Sequence, residues 1–186
     1  MEEGATGCDE CTPGSYCKEG APAPLPCPAG THQDLTLTTP MTSEGQCIEC
    51  SPGTFCPVGS ANATKCSPGF FNPLRRQSAC APCEAGRFQN ASGAVDCWEC
   101  EPGHYCLPGA SAPLPCPAGT HQDLTLTSPM TSEGQCIECG AGVFCPTGAE
   151  APTNCSAGTY NPVARQSECV KCEAGRFQVS LPCDRI

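Results

Sequence analysis

The stretch from Cys27 to Cys50, CPAGTHQDLTLTTPMTSEGQCIEC, returns from Cys116 to Cys139 with one change, Thr39 becoming Ser128. Cys27 and Cys116 lie 89 residues apart, so the chain is a tandem repeat. No apolar core would require a stretch so rich in Thr, Ser and Pro to match residue by residue. Near-identity there points to a recent duplication or to a lateral contact made by both copies. It does not point to an active site, for which one copy suffices.

Inside each copy runs a smaller unit: Cys, two residues, Gly, one residue, then an aromatic or His. It begins at Cys11, Cys27, Cys50, Cys66 and Cys83, and again at Cys100, Cys116, Cys139, Cys155 and Cys172. The successive spacings are 16, 23, 16, 17 and 17 residues. The chain therefore divides into an N-terminal segment 1–7, a first repeat 8–96 and a second repeat 97–186. A fixed period of this kind is the signature of a quasi-one-dimensional array, in which each unit is expected to touch mainly its neighbours.

Composition says what holds such an array together. Of 186 residues, 6 are Phe, 3 Tyr and 1 Trp, whereas Gly 20, Pro 21 and Cys 21 make up a third of the chain. Disulfides stand in for a core, the mark of a disulfide-rich extracellular scaffold. The expected fold is a small disulfide-rich repeat protein, an elongated rod of short β-hairpins and turns with little helix and no large hydrophobic core. The net charge of -10, with nine Lys plus Arg and no basic run, gives no grip on nucleic acid. No apolar run approaches the roughly 18 to 20 residues of a membrane span. The opening MEEGATG lacks the parts of a signal peptide. The cysteines nonetheless demand an oxidising compartment, so a leader is expected upstream or already removed, which leaves open whether Met1 is the natural start.

Each unit has a physical reading. Pro-Gly or Ala-Gly after the cysteine (Pro13-Gly14, Ala29-Gly30, Pro52-Gly53) makes a tight turn. The aromatic slot holds Tyr16, His32, Phe55, Phe71 and Phe88, then Tyr105, His121, Phe144, Tyr160 and Phe177. These rings are expected to pack on the disulfides as a ladder of one ring per unit, leaving little for a ligand pocket. Pro and Gly interrupt every helix, and strand-like segments such as Leu35 to Thr38 are short, which predicts small two-stranded hairpins. The longer loop LTLTTPMTSEG of the 23-residue spacing is expected to protrude once per repeat.

The repeat also selects among cysteine pairings. In three of every five units a cysteine follows the motif at long range, giving Cys27 with Cys47, Cys66 with Cys80 and Cys83 with Cys97. In the other two it follows after six positions, giving Cys11 with Cys17 and Cys50 with Cys56. The second copy gives Cys116 with Cys136, Cys155 with Cys169, Cys172 with Cys183, Cys100 with Cys106 and Cys139 with Cys145. Cys8 is left over, which implies truncation of a longer array, head-to-tail continuation through an intermolecular bond, or a free thiol. An alternative connectivity sends the short-pair cysteines to Cys27 or Cys66, forcing other partners on Cys47 and Cys80.

Few motifs carry chemistry. The six CxxC pairs have zinc spacing, but the cysteines at the six-residue step have no place in a zinc array, and a redox site needs one such pair. His32 and His121 occupy the aromatic slot and read as ring packing. His104 has Ser15 as its counterpart in the other copy, so it carries no shared chemistry. Asp34, Glu44, Glu49 and their copies Asp123, Glu133 and Glu138 lack the pattern of a calcium loop and read as a solvated acidic face. No nucleophile elbow, phosphate loop or zinc-protease helix is present, so no catalytic site, cofactor or metal is expected. Three sequons, at Asn62, Asn90 and Asn154, are candidate N-glycosylation sites, while Asn72 and Asn161 precede Pro and carry none. Thr36 to Ser43 and Thr125 to Ser132 are candidate O-glycosylation tracts.

With CPAGT, the Cys-x-x-Gly-x-aromatic motif and its CxxC closures in place, the chain resembles the ephrin-receptor-like cysteine-rich repeats, relatives of tumour-necrosis-factor-receptor modules, over residues 8 to 183. The resemblance implies an extended extracellular array stapled by local disulfides, as in receptors, adhesion proteins and matrix or appendage proteins, and no enzyme activity. The kinase, membrane segment and ligand-binding domain of the receptors have no counterpart here, so a signalling role does not follow. The expected function is that of an extracellular, glycosylated structural protein, a subunit or segment of a cell-surface or matrix filament that self-associates head to tail or laterally. The alternative is a receptor or adhesion ectodomain that binds a protein ligand, for which Trp98 is the one candidate anchor.

Overall fold

The computed structural model describes residues 7–177, together with 184 and 185. The protein is a small disulfide-rich repeat of short hairpins. Ten two-stranded sheets form among the described residues, nearly all of two-residue strands, and the nine whose registers are defined are antiparallel. The one helical structure among them is a pair of three-residue 3-10 turns, Glu44–Gln46 and Glu133–Gln135. Contacts divide the chain into two compact bodies, Met1–Ala81 with Ala91–Asp96, and Pro82–Asn90 with Cys97–Ile186. Residues Pro82–Asn90 thus group with the second repeat, although the 89-residue period counts them in the first.

Most units are built by the same local steps. After the motif cysteine the chain makes a type II turn, because Pro or Ala supplies the first corner and Gly the left-handed second one. The turn closes by an N–H donated three residues back, from Thr31 to the Pro28 carbonyl (3.0 Å) and from Thr54 to that of Ser51 (3.1 Å). Two residues then pair with the two that precede the next motif cysteine, as in Thr31↔Glu49 and His32↔Ile48. That next cysteine donates its N–H to the carbonyl of the motif glycine: Cys50 to Gly30 (3.0 Å), Cys66 to Gly53 (2.9 Å), Cys116 to Gly103 (2.9 Å). The period of the sequence is therefore a period of backbone hydrogen bonds.

Consecutive units are joined through the same glycines. In the first body Gly30 donates to the Cys56 carbonyl and Gly53 to that of Asn72, both at 2.8 Å. In return, the N–H of Gly59 reaches the Cys27 carbonyl and that of Arg76 the Cys50 carbonyl, both at 2.9 Å. The second body repeats this with Gly119 to Cys145 and Gly142 to Asn161, answered by Gly148 to Cys116 and Arg165 to Cys139.

Contact does not stop at the neighbour, which corrects the expectation of a nearest-neighbour array. A Cβ on Gly14 would overlap the carbonyl of Gly59, two units on, and one on Gly53 would overlap that of Gly93. Gly103 stands in the same way against Gly148, and Gly30 and Gly119 stand against the carbonyls of Arg76 and Arg165. The units pack closely enough that the third reaches the first. Arg76 (φ 60°) and Arg165 (φ 66°) are the non-glycine residues that adopt a left-handed backbone among the described residues. Their place corresponds to that of Gly59 and Gly148 in the neighbouring units.

Burial is dominated by sulfur. Of the buried apolar residues most are cysteines, and the others are Tyr16, Phe88, Met41, Met130 and Ala149. The rings do not form a continuous ladder. Tyr16 packs with Cys27, Cys47 and Met41, and Phe88 with Cys100 and Cys106, so each of these rings lies on the disulfide of the following unit and not on its own. The one ring pair among the described residues is Phe88 with Trp98. The aromatic slot faces, across its hairpin, the middle residue of the CxxC pair or its equivalent: Tyr16↔Leu25, His32↔Ile48, Phe88↔Trp98, Tyr160↔Val170. Such cross-strand pairs are the stabilising element of a two-stranded sheet; the position opposite the ring is apolar in these units and threonine opposite Phe55 and Phe144.

The long loop also departs from expectation. Leu35 to Thr38 forms turns and bends instead of strand, and the loop folds back instead of protruding throughout. Met41 and Met130 are 2% and 1% exposed, and their carbonyls accept the N–H groups of Cys17 (2.9 Å) and Cys106 (3.1 Å) in the preceding unit. The flexible thioether fills the gap that this wide spacing leaves over Tyr16. Just after it, the Gln46 side-chain oxygen accepts the N–H groups of Thr42 (2.7 Å) and Ser43 (3.0 Å), fixing the 3-10 turn.

Candidate functional site

Among the described residues the structure brings together nine cysteine pairs: Cys11–Cys17, Cys27–Cys47, Cys50–Cys56, Cys66–Cys80, Cys83–Cys97, Cys100–Cys106, Cys116–Cys136, Cys139–Cys145 and Cys155–Cys169. The alternative joining Cys11 to Cys27 is not formed. Cys183, the expected partner of Cys172, lies outside the described residues, and Cys8 is free and exposed. The loops closed are of 6, 14 or 20 residues. In the chain-entropy model the short ones contribute about 2.2 kcal/mol each and the longest about 3.3, so the staples act in comparable increments along the chain.

Between the cysteines lies a second set of staples that sequence reading missed. The residue after the aromatic slot is Cys in the short-loop units (Cys17, Cys56, Cys106, Cys145) and an amide in the others (Gln33, Asn72, Gln89, Gln122, Asn161). The Gln33 side-chain oxygen accepts the Gly14 N–H (2.9 Å) and that of Gln122 the Gly103 N–H (2.8 Å). Buried Asn72 and Asn161 donate to the Thr54 (2.7 Å) and Val143 (2.9 Å) carbonyls. Each of these four amides clamps its unit to the preceding one. The alternation of Cys with Asn or Gln at this one slot was the available signal.

His32 and His121 have Nδ1 at 2.8 and 2.6 Å from the Gln33 and Gln122 carbonyls, so the two rings are held by their own backbone and not by a stack of aromatics. Among the described residues no group of three or more His, Cys, Asp or Glu is arranged to hold a metal ion, and no helix is long and apolar enough to cross a membrane. The acidic residues have separate local tasks. Asp34 accepts both the N–H (2.9 Å) and the hydroxyl (2.6 Å) of Thr36, and Asp123 does the same with Thr125. These hydrogen bonds, from the Thr hydroxyl first and the backbone second, hold both carboxyls below the ordinary value of 3.8. A carboxyl depressed by folding stabilises the fold above its unfolded pKa, and that contribution is lost as pH falls through the lowered value. Thr36→Val is therefore expected to return the Asp34 titration towards 3.8 in carbon-detected NMR and to leave Asp123 unchanged.

Two equivalent clefts, of about 250 and 230 Å³, recur one repeat apart. In each, an arginine crosses to a glutamate: Arg76 to Glu49 at 3.6 Å, and Arg165 to Glu138 at 3.1 Å. Both partners are at least half exposed or nearly so, so these pairs are worth little, about 0.2–1 kcal/mol. Glu44 and Glu133 line the same clefts. Burial, and then Glu133 at 3.5 Å from its hydroxyl, pushes the Tyr105 phenol up.

The features that face outward are of two kinds. Asn62, Asn90 and Asn154 are all exposed. Asn154 sits in a strand opposite Val143 and next to Cys155, which is bonded to Cys169, whereas Asn62 and Asn90 lie outside strands. Leu35 and Leu124 stand 62% and 59% exposed at the same place in the two copies, and Trp98 is 52% exposed. Fold and surface define the class: a disulfide-rich hairpin repeat whose invariant features are structural. Compared with known proteins, the chain matches no family model, and no curated protein is similar to it in sequence.

Proposed function

We propose that this chain is an extracellular, glycosylated structural protein whose units stack into a rod, forming a subunit or segment of a cell-surface or matrix filament. Secretion is supported by the disulfides, which an oxidising compartment maintains, and by the resemblance to ephrin-receptor-like repeats. Self-association is carried by one observation. Most of the duplicated stretch serves the fold, through Gln33, Met41, Gln46 and their copies, but Leu35 to Pro40 is exposed, as are Leu124, Thr125, Thr127 and Ser128 in the second copy, where Leu126 and Pro129 are half-buried. This exposed part is nonetheless the same in both copies except for Thr39 and Ser128, which includes a bare leucine in each. An apolar residue kept twice in an exposed loop suits a contact made once per repeat with a second copy, laterally or head to tail. On this proposal the chain has no enzymatic role, and its exposed sequons carry glycans.

A second function, as an ectodomain that binds a protein ligand, is favoured by Trp98, a large half-exposed ring found in one unit only. Electron microscopy of native, non-reduced material separates the two. Filaments whose axial repeat matches the 89-residue unit, dispersed by Leu35→Asp with Leu124→Asp, are expected for the structural protein. Separate rods of one length at every concentration would overturn it in favour of the ectodomain.

A further inference from the structure

Trp98 has a neighbour that no other unit offers. Its hairpin pairs Phe88 with Trp98, with ring centroids 5.7 Å apart and planes at 74°, an edge-to-face contact. Phe88 is 6% exposed and supports the indole from within, while Trp98 remains 52% exposed, with ring surface open to water. Two residues beyond Phe88 stands Asn90, exposed, in the sequon Asn90-Ala91-Ser92. The strand ends at Phe88 and Asn90 lies just beyond it, where diagonal neighbours across an antiparallel pair come within reach of large groups. A substituent on Asn90 therefore emerges beside the indole.

The rest of the array shows that this is no general feature of the unit. Two residues after the aromatic slot the other units carry Lys18, Asp34, Pro57, Pro73, Leu107, Asp123, Pro146, Pro162 and Val179, never Asn. Opposite the ring, other CxxC pairs carry Ile48, Ala81, Ile137 or Val170, never Trp. The one sequon placed two residues after a ring and the one tryptophan of the chain thus occur in the same hairpin. Neither Asn62, with Ser60 at that place, nor Asn154, with Pro152, has such a partner.

The geometry points to a carbohydrate seat: the first N-acetylhexosamine of a glycan on Asn90 lies with its C–H face on the Trp98 indole. The proposal rests on the secretory part of the proposed function. In the transfer, the Asn90 amide nitrogen bonds to the anomeric carbon of a lipid-diphosphate-linked oligosaccharide and gives up a proton, and the lipid diphosphate leaves with the electron pair of the broken C–O bond. The sugar ring then presents axial C–H groups, weakly positive, to the negative face of the indole. The contact removes from water an apolar ring face that the protein leaves bare.

Because Trp98 is the only tryptophan, its fluorescence reports the seat directly. The full chain is secreted from eukaryotic cells behind a leader, and occupancy of Asn62, Asn90 and Asn154 is read by glycopeptide mass spectrometry. Wild type is compared with Ser92→Ala, which abolishes the sequon while keeping Asn90, and with Asn90→Gln. With Asn90 glycosylated, emission is expected to lie to the blue of both variants, with acrylamide quenching roughly halved as one ring face is covered. Equal emission and quenching with Asn90 occupied would overturn the seat alone, as would sugar on Asn62 or Asn154 with Asn90 bare. Sugar on none of the three would overturn the seat together with the glycoprotein proposed above.

Discussion

Gly53→Ala is expected to destabilise the oxidised protein by about 3 kcal/mol or more, whereas Gly20→Ala costs only about 1. Both glycines are left-handed, at φ 79° and 72°, so both substitutions carry the same conformational penalty. They differ in what the new methyl meets. At Gly20 nothing lies within 4 Å, but at Gly53 the methyl would occupy the place of the Gly93 carbonyl, two units further along. That carbonyl is backbone and cannot turn aside as a side chain would. The Gly93 N–H is meanwhile held at 2.8 Å by Cys66, whose own N–H is bound to Gly53 at 2.9 Å, so a shift at one glycine loosens three units. Guanidinium unfolding with the disulfides intact measures the difference. Equal losses for the two variants would mean that contacts between alternate units do not hold the array together.

Met130→Ala is expected to cost about 2–5 kcal/mol, as for other fully buried methionines, with Met41→Ala close behind. Met130 is 1% exposed, and among the described residues the other buried apolar side chains without sulfur or a ring reduce to Ala149, so little nearby can collapse into the space. Its position is fixed from both sides, by the Cys106 N–H on its carbonyl and by the Gln135 oxygen that accepts the N–H of Thr131 at 2.6 Å. Losing the side chain should therefore release the loop, and hydrogen exchange should rise across 124–131 before it rises at Cys116 or Cys139. Met130→Leu, which conserves volume, is expected to stay within about 1.5 kcal/mol of wild type. A wild-type-like Met130→Ala would return the loop to the free, protruding state that its composition predicts.

The loop shows where sequence reading falls short. LTLTTPMTSEG reads as a protruding loop with a short strand-like start, because one methionine among Thr, Ser and Pro gives no periodic signal of burial. The gap that the methionine fills is made by the preceding unit, so the reason for its burial lies outside the loop. Near-identity of the two copies was for the same reason attributed to duplication or lateral contact alone. The structure adds intramolecular work for Thr31, Gln33, Asp34, Met41 and Gln46 and leaves the single difference, Thr39 and Ser128, at an exposed position. The aromatic slot was legible as a position but not as a contact: it marks a ring, and only the stacking of units decides that Tyr16 and Phe88 lie on the next disulfide.

By itself the sequence determined what is local. Pro-Gly turns, hairpins of two residues and cysteine loops of 6 to 20 residues follow from groups that meet within one unit, so their spacing carries the information. Tertiary structure alone decided how units grip one another: the amide clamps of Gln33 and Asn72, the buried methionines, and the glycines pressed against carbonyls two units away. The physical reason is that the groups gripped there are backbone N–H and C=O, which every residue possesses. A glycine in the sequence records that something comes close, and only the packed array shows what it is.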